Sequence, residues 1–150
     1  MKIIFLDIDG VLNSEESVVK NSHLGNYRDL PSDPMINNLN YILDNTNAKI
    51  VVSSTWRRLF GKTGMDYLLF LRGVNPDSVI DITPEKMSGY DSRGHEITMW
   101  LDEHPEVTHF VILDDVDTMG LVKKHLVLVD PSVGLTGVNA AKAVGMLQDE

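Results

Sequence analysis

Two aspartates one residue apart are the side chains of this sequence best suited to chemistry. Asp7 and Asp9 follow the apolar residues 3–6 and are followed at once by Gly10. On an extended chain both carboxylates point to the same side, because side chains alternate with a period of two. Gly10 permits backbone conformations that other residues avoid and lets a ligand come close. Two acids held together need a cation or a shared proton to offset their repulsion, and such oxygen ligands suit Mg²⁺.

The Asp-x-Asp-Gly pattern is also typical of a solvated surface turn, so its meaning depends on the elements that position it. Five apolar runs predict buried strands, at residues 3–6, 50–52, 79–82, 110–113 and 126–129. Helical patterns separate most of them: one begins at residue 33, one covers about 65–72, one opens at 92 and one closes the chain. This alternation predicts a Rossmann-like α/β fold, with a five-stranded parallel sheet covered by helices on both faces.

The composition predicts one soluble domain over residues 1–150, because 43% apolar and 23% charged residues are ordinary for a globular protein. The sequence has no cysteine, which excludes disulfides and thiolate chemistry, and we expect a cytoplasmic location. No apolar run approaches the ~20 residues that span a bilayer, and nothing indicates a required protein partner. A net charge of −9 argues against broad binding to nucleic acid, but not against one nucleic-acid end in a locally basic pocket. Residues 13–34 lack periodicity and are predicted to be a loop, either a small flap over a site or a solvated excursion.

Acids and hydroxyls follow three of the five predicted strands. They are Asp7 and Asp9, Ser53 and Ser54, and Asp114 and Asp115. The carboxyl ends of parallel strands form one edge of the sheet, where ligands bind in open α/β folds. Four carboxylates gathered at that edge need a compensating cation. The sequence therefore predicts a metal-dependent site there.

The order of these motifs resembles the haloacid dehalogenase-like (HAD) hydrolase superfamily, most of whose members are magnesium-dependent phosphatases. The resemblance extends from Asp7-Ile8-Asp9-Gly10-Val11-Leu12 to Gly134-Leu135-Thr136. The chain is also similar to the small phosphatase domains of phage and bacterial RNA-end repair proteins, through Ser54-Thr55-Trp56-Arg57, Arg93-Gly94-His95-Glu96-Ile97 and Leu113-Asp114-Asp115. Residues 13–34 are too few for a full cap domain, so the resemblance implies a capless member.

The resemblance implies a role for each acid. Asp7 is the nucleophile that becomes an aspartyl phosphate, and Asp9 is the general acid for the leaving group and then the base for water. Asp7, Asp114 and the backbone carbonyl of Asp9 hold Mg²⁺. Asp115 lies on the substrate side, where it supports the metal through water or orients a neighbouring cation, and Gly10 lies against the substrate.

The second and third motifs of the superfamily leave alternatives. We assign the hydroxyl that donates to the phosphate to Ser54, with Ser53 as the alternative. Arg57 resembles an arginine that clamps a phosphate with two contacts, although it also fits an exposed helix start. The cation that precedes the fourth strand is assigned to Arg93, because a helix start aims its amides and its cation at the same anion. Lys86 is the alternative for that cation.

These residues predict a magnesium-dependent phosphomonoester hydrolase. Its substrate is expected to be a nucleic-acid end, either RNA or DNA, with a 3′-phosphate, because Arg57, Arg58 and Lys62 follow the second strand and could track a phosphate backbone. The alternative is a phosphatase for a small metabolite or nucleotide. A receiver-type signalling domain is disfavoured, because its phosphorylated aspartate follows the third strand, which here ends in Thr83-Pro84. An inactive binding module is disfavoured because every chemical role has a candidate residue.

Overall fold

A single parallel sheet organises the computed structural model, which describes residues 1–148. Its strand order is β3-β2-β1-β4-β5, and the strands are β1 (Lys2–Leu6), β2 (Lys49–Val52), β3 (Val79–Ile82), β4 (His109–Asp114) and β5 (Leu126–Leu128). The helices are α1 (Glu15–Lys20), α2 (Asp33–Thr46), α3 (Arg57–Leu71), α4 (Ser92–Asp102) and α5 (Gly137–Leu147), with two short 3₁₀ segments, Ser22–Tyr27 and Gly120–His125. The Rossmann-like fold predicted from the sequence is confirmed. The predicted domain of residues 1–150 includes residues 149 and 150, which lie outside the described residues.

The sheet is buried on both faces because β1 carries apolar side chains at every position after Lys2. Ile4 and Leu6 pack on one side with buried residues of α2, α3 and α5. Ile3 and Phe5 pack on the other side with α4. The period of two thus divides one strand between two cores, which is why the run reads as continuously apolar. Within the described residues no helix is long and apolar enough to cross a membrane.

Residues 13–34, which we call the flap, are more ordered than the predicted loop. Ser14 caps α1 through a reciprocal capping box with Ser17, and the 3₁₀ segment follows directly. The two ends of the flap meet beside the first strand, where the Ser32 amide donates to the Leu12 carbonyl at 2.8 Å. The prediction of an irregular loop is wrong because a helix of six residues is too short to show a hydrophobic period.

The start of α3 is a second correction. The sequence predicts this helix from residue 65, whereas helical hydrogen bonds already begin at Arg57. Gly61, with φ 63° and ψ −175°, interrupts the helical backbone and separates a first short turn from the longer stretch. The predicted helix thus covers only the stretch after this break and leaves out the turn before it. That turn carries several residues beside the site.

Candidate active site

The carboxyl ends of three neighbouring strands, β2, β1 and β4, place their polar side chains in one row. Leu6 is in register with Val52 and with Leu113, so the next positions, Asp7, Ser53 and Asp114, lie side by side. The Asp7 amide donates to the Leu113 carbonyl at 3.0 Å, which continues the pairing one residue beyond β1. Side chains in register on parallel strands point to the same face. The sheet therefore brings together residues more than 40 positions apart in the sequence.

Three carboxylates form a compact cluster at this edge. Asp7 is 4% exposed and Asp114 is fully buried, while Asp115 is partly exposed. One oxygen from each of these acids lies within 4.8 Å of the other two. Hard oxygen donors at this spacing, two of them withdrawn from solvent, fit a divalent cation such as Mg²⁺. The donor set thus agrees with the metal implied by the resemblance.

Arg93 lies between two of these acids. Its Nη1 is 2.7 Å from Asp114 Oδ2 and 3.3 Å from Asp7 Oδ2. Gly94 allows this contact, because a Cβ at that position would clash with the Met119 carbonyl and push α4 away from the chain after β4. The Lys86 side chain, the alternative for this cation, is exposed.

Burial and crowding change the pKa values of the cluster. Burial, followed by repulsion from Asp114, raises the pKa of Asp7 to about 8, although Arg93 opposes the change. Burial also raises the pKa of Asp114, again against the attraction of Arg93. For Arg93 itself, burial alone would lower the pKa, but Asp114 and Asp7 together raise it. In the absence of a bound cation, the cluster therefore favours a shared proton on its acids.

Asp9 is exposed, yet its carboxylate is held from two sides. The Trp56 indole Nε1 donates to Asp9 Oδ2 at 3.0 Å, and Asn13 Nδ2 donates to Asp9 Oδ1 at 2.9 Å. Asn13 also donates to the Asp29 carbonyl at 2.7 Å and so ties the flap to this loop. The sequence analysis assigned no role at the site to Trp56 or to Asn13. The only sequence signal for Asn13 was its place four residues after Asp9 in the same turn.

The candidate hydroxyls differ in their contacts. Ser53 and Ser54 are both buried, but only Ser54 Oγ has a partner, the Trp56 amide at 3.2 Å. Within residues 1–148, Ser53 Oγ and Thr83 Oγ1 have no hydrogen-bond partner. Because Ser54 Oγ accepts that bond, the Ser54 O–H can still donate to a substrate. Ser53 lies in register with Asp7 on the neighbouring strand. The assignment of the second motif to Ser54 stays a prediction.

Arg57 differs from its predicted role as a phosphate clamp. Arg57 is 4% exposed. Its guanidinium donates hydrogen bonds to the carbonyls of Ser53, Ser54, Thr83 and Pro84 and to the Glu96 carboxylate. Five N–H groups are all that an arginine offers, so this contact set leaves none for a substrate. Arg57 is a structural crosslink, because it faces inward from the first turn of α3.

Gly10 also makes contacts other than those predicted. Its amide donates to Asn13 Oδ1 at 2.9 Å. Its φ of +82° is unfavourable for other residues, and a Cβ there would lie 2.6 Å from Asp115 Oδ2. Gly10 is thus required for the close approach of Asp115 to the loop after β1.

The basic residues expected to follow a nucleic-acid backbone lie outside the core. Arg58 is exposed and pairs with Glu85 at 2.9 Å, and Lys62 is exposed. Both remain accessible to solvent on the first part of α3.

Comparison with known protein families identifies a match over most of the chain. A model of the family described as "HAD domain in Swiss Army Knife RNA repair proteins" matches residues 3–140. No curated protein and no solved structure matches the chain.

Proposed function

The chain belongs to the family of HAD domains found in Swiss Army Knife RNA repair proteins, and we propose that this HAD-type hydrolase is a magnesium-dependent phosphatase of nucleic-acid ends. The observation that carries the proposal is the acid cluster at the sheet edge, with Arg93 in contact with both Asp7 and Asp114. A nucleophile, a cation and a set of oxygen ligands meet there, and phosphoryl transfer requires all three.

The reaction proceeds in two displacements. An Asp7 carboxylate oxygen attacks phosphorus, the bond to the leaving oxygen breaks, and Asp9 gives that oxygen a proton. Water then attacks the phosphorus of the aspartyl phosphate, and Asp9 takes the proton of that water. Inorganic phosphate leaves, and the Asp7 carboxylate is restored. Arg93 and the Ser54 hydroxyl stabilise the charge on the phosphoryl oxygens during both steps.

Asp7 and Asp114, with the backbone carbonyl of Asp9, would hold Mg²⁺, and Asp115 lies at the edge of this set. When bound, the ion screens the carboxylates from the anionic substrate and stabilises the charge of the transition state. The position of Arg93 beside the same acids supports this arrangement, because one arginine offsets only part of the charge of three carboxylates.

A 3′-phosphate on a nucleic-acid end is the proposed substrate. The description of the family as a part of RNA repair proteins supports this class. The exposed side chains of Arg58 and Lys62 support it further, because they offer local positive charge on a protein whose net charge is −9. The flap is small, and among residues 1–148 no inserted domain covers the acid cluster, which leaves room for a polymer.

The test compares three substrates: an oligonucleotide with a 3′-phosphate, the same oligonucleotide with a 5′-phosphate, and glycerol 2-phosphate. We expect Mg²⁺-dependent release of phosphate, which is fastest from the oligonucleotide with the 3′-phosphate. No phosphate should be released in the presence of EDTA. Asp7→Asn removes the attacking carboxylate and should lower kcat at least ~1,000-fold. Brief reaction with a ³²P-labelled end should leave label on the wild-type protein, and hydroxylamine should release it, because it cleaves acyl phosphates.

Asp102→Asn is the matched control, because Asp102 is exposed at the far end of α4. It should keep the wild-type rate and the labelled intermediate. Turnover by a folded Asp7→Asn protein would contradict the assignment of Asp7 as the nucleophile. Efficient hydrolysis of glycerol 2-phosphate or a nucleotide, with none of an oligonucleotide end, would favour the metabolite phosphatase instead.

A further inference from the structure

An aromatic cleft of about 320 Å³ lies between the flap and the first turn of α3. We define the aromatic cleft by its lining residues: Asn26, Tyr27, Asp29, Leu30, Trp56, Leu59 and Phe60. Its volume is at the lower end of the range for small-molecule sites. A single ring system fits such a space, whereas a folded partner does not.

The cleft adjoins the carboxylate placed as the general acid. Its residue Trp56 donates to Asp9 Oδ2, and its opposite wall is tied to Asp9 through Asn13, which bonds the Asp29 carbonyl. A general acid lies next to the leaving group that it protonates. The part of the substrate beyond the scissile bond therefore lies on the side of Asp9, where the cleft opens.

A second cavity of about 270 Å³ also borders Asp9, but its chemistry is different. Its lining includes the carboxylates of Asp9, Glu15 and Asp115 and no aromatic side chain. That concentration of negative charge disfavours a nucleotide, whose neighbouring phosphates are anionic. The aromatic cleft is the better receptor for the leaving nucleotide.

The walls of the cleft expose large apolar and aromatic side chains to solvent. Tyr27 is 68% exposed, Leu59 85% and Phe60 44%. The rings of Trp56 and Phe60 lie with centroids 5.9 Å apart at 36° and so form one aromatic wall. Adjacent exposed aromatic side chains typically mark a binding surface. The residues that line the cleft include the acid Asp29 but no lysine or arginine, so it suits an uncharged ring and not the phosphate itself.

We propose that the aromatic cleft binds the base of the terminal nucleotide whose phosphate is transferred to Asp7. This inference rests on the proposed function, since the phosphate must lie at the acid cluster for its nucleoside to reach the cleft. Stacking between a base and aromatic side chains tolerates every base, which fits an enzyme of nucleic-acid ends. Asn26 and Asp29 provide polar groups at the rim for the edge of the base.

The test pairs a cleft variant with a substrate that lacks the base. The substrates are an oligonucleotide with a 3′-phosphate and the same oligonucleotide with an abasic terminal residue. For the wild-type protein we expect kcat/KM about tenfold higher when the base is present. In the Tyr27→Ala/Phe60→Ala variant this ratio should fall towards one. The ratio is measured on one protein preparation, so a partial folding defect does not change it.

Tyr41→Ala is the matched control, because Tyr41 is a half-exposed aromatic residue of α2 outside the cleft. It should keep the tenfold ratio. A wild-type ratio near one, with phosphate release still dependent on Asp7, would overturn the cleft assignment and leave the proposed phosphatase intact. Loss of a dimer in the Tyr27→Ala/Phe60→Ala variant, together with an unchanged ratio, would also overturn it, because the cleft would then be an interface between copies.

A binding measurement separates the two proposals if no phosphate is released from any substrate. Uncharged adenosine and cytidine are titrated into the wild-type protein, and the two indole N–H signals are followed by NMR. A shift confined to the Trp56 signal, absent in the Tyr27→Ala/Phe60→Ala variant, would support base binding even where the reaction had failed. Unperturbed signals at millimolar nucleoside would overturn the inference.

Discussion

At the residue scale, the two aspartates of the first motif have opposite surroundings. Asp7 is buried beside Arg93, whereas Asp9 is exposed and held by Trp56 and Asn13. A nucleophile benefits from a fixed position out of water, while a group that exchanges a proton twice per turnover needs access to solvent. The environments thus match the roles that the resemblance implies, and they arise because the strand ends at Leu6 and the turn begins after it.

The first prediction separates the two adjacent hydroxyls. Ser54→Ala should lower kcat/KM about 10- to 100-fold, because it removes one hydrogen bond to a charged phosphoryl oxygen. Ser53→Ala should change kcat/KM less than about threefold and should affect stability little, because Ser53 Oγ has no partner within residues 1–148. Steady-state kinetics on a phosphorylated oligonucleotide provide the measurement.

The reverse result would transfer the second-motif role to Ser53. That outcome is chemically coherent, because Ser53 follows β2 in the register that pairs Leu6 with Val52 and so lies beside Asp7. Unfolding curves of both variants serve as the control. A rate loss without a stability loss then identifies a contact with the substrate.

At the element scale, Arg57 joins the ends of two strands to a helix. Its guanidinium bonds carbonyls at the end of β2 and after β3, and its partner Glu96 belongs to α4, one turn beyond Arg93. Glu96 also accepts the Lys86 amide at 3.1 Å, which fixes the loop before α4. The crosslink therefore positions the helix that carries Arg93.

The second prediction follows from the burial of this ion pair. Arg57→Met should lower the free energy of unfolding by about 3–5 kcal/mol, because it leaves the Glu96 carboxylate buried without its cation. The double variant Arg57→Met/Glu96→Leu should recover part of that loss. Urea unfolding measures both.

The control for this prediction is the neighbouring Arg58→Met. Arg58 pairs with Glu85 at the surface, where such a pair contributes about 1 kcal/mol or less. If Arg57→Met instead kept full stability and raised KM alone, Arg57 would be a substrate clamp, as the sequence first suggested.

The elements that bury apolar runs could be predicted from the sequence. All five strands were predicted: four carry three or more apolar residues in succession, and β3 carries three apolar residues around Asp81. The helix α1 of the flap was not predicted. It is stabilised by a capping box and by contacts with the loop after β5, including the hydrogen bond from the Glu15 amide to the Pro131 carbonyl. The contact with Pro131 depends on tertiary structure, and neither it nor the capping box leaves a hydrophobic period in the sequence.

The same distinction applies to the site. The acids could be located because they follow predicted strands directly, and the sheet then brings them to one edge. The orientation of a long side chain could not be predicted in the same way. An arginine at a helix start points towards the substrate or towards the core according to its neighbours. For Arg57 the deciding neighbour is Glu96, 39 residues further on.

At the scale of the whole molecule, the acid cluster makes the stability of the fold depend on pH, because ionising its buried carboxylates is unfavourable. The pKa of Asp7 is raised from its ordinary value of 3.8 to about 8, mainly by burial. Its contribution to stability is therefore fully present below about pH 3.8 and is lost as the pH rises through 8. Without a cation, the folded protein becomes less stable on this account as its solution becomes more alkaline.

The last prediction is that Mg²⁺ reverses this loss. The ion binds the ionised carboxylates and competes with protons for them, so the rise in Tm caused by 5 mM Mg²⁺ should be larger at pH 8 than at pH 6. Thermal unfolding with Mg²⁺ or EDTA across this range provides the measurement. Asp7→Asn should reduce both the Mg²⁺ effect and the decline in Tm of the metal-free protein with pH, whereas Asp102→Asn should change neither. Equal Mg²⁺ effects at both pH values, or an undiminished effect in Asp7→Asn, would show that the ion acts elsewhere on this acidic surface.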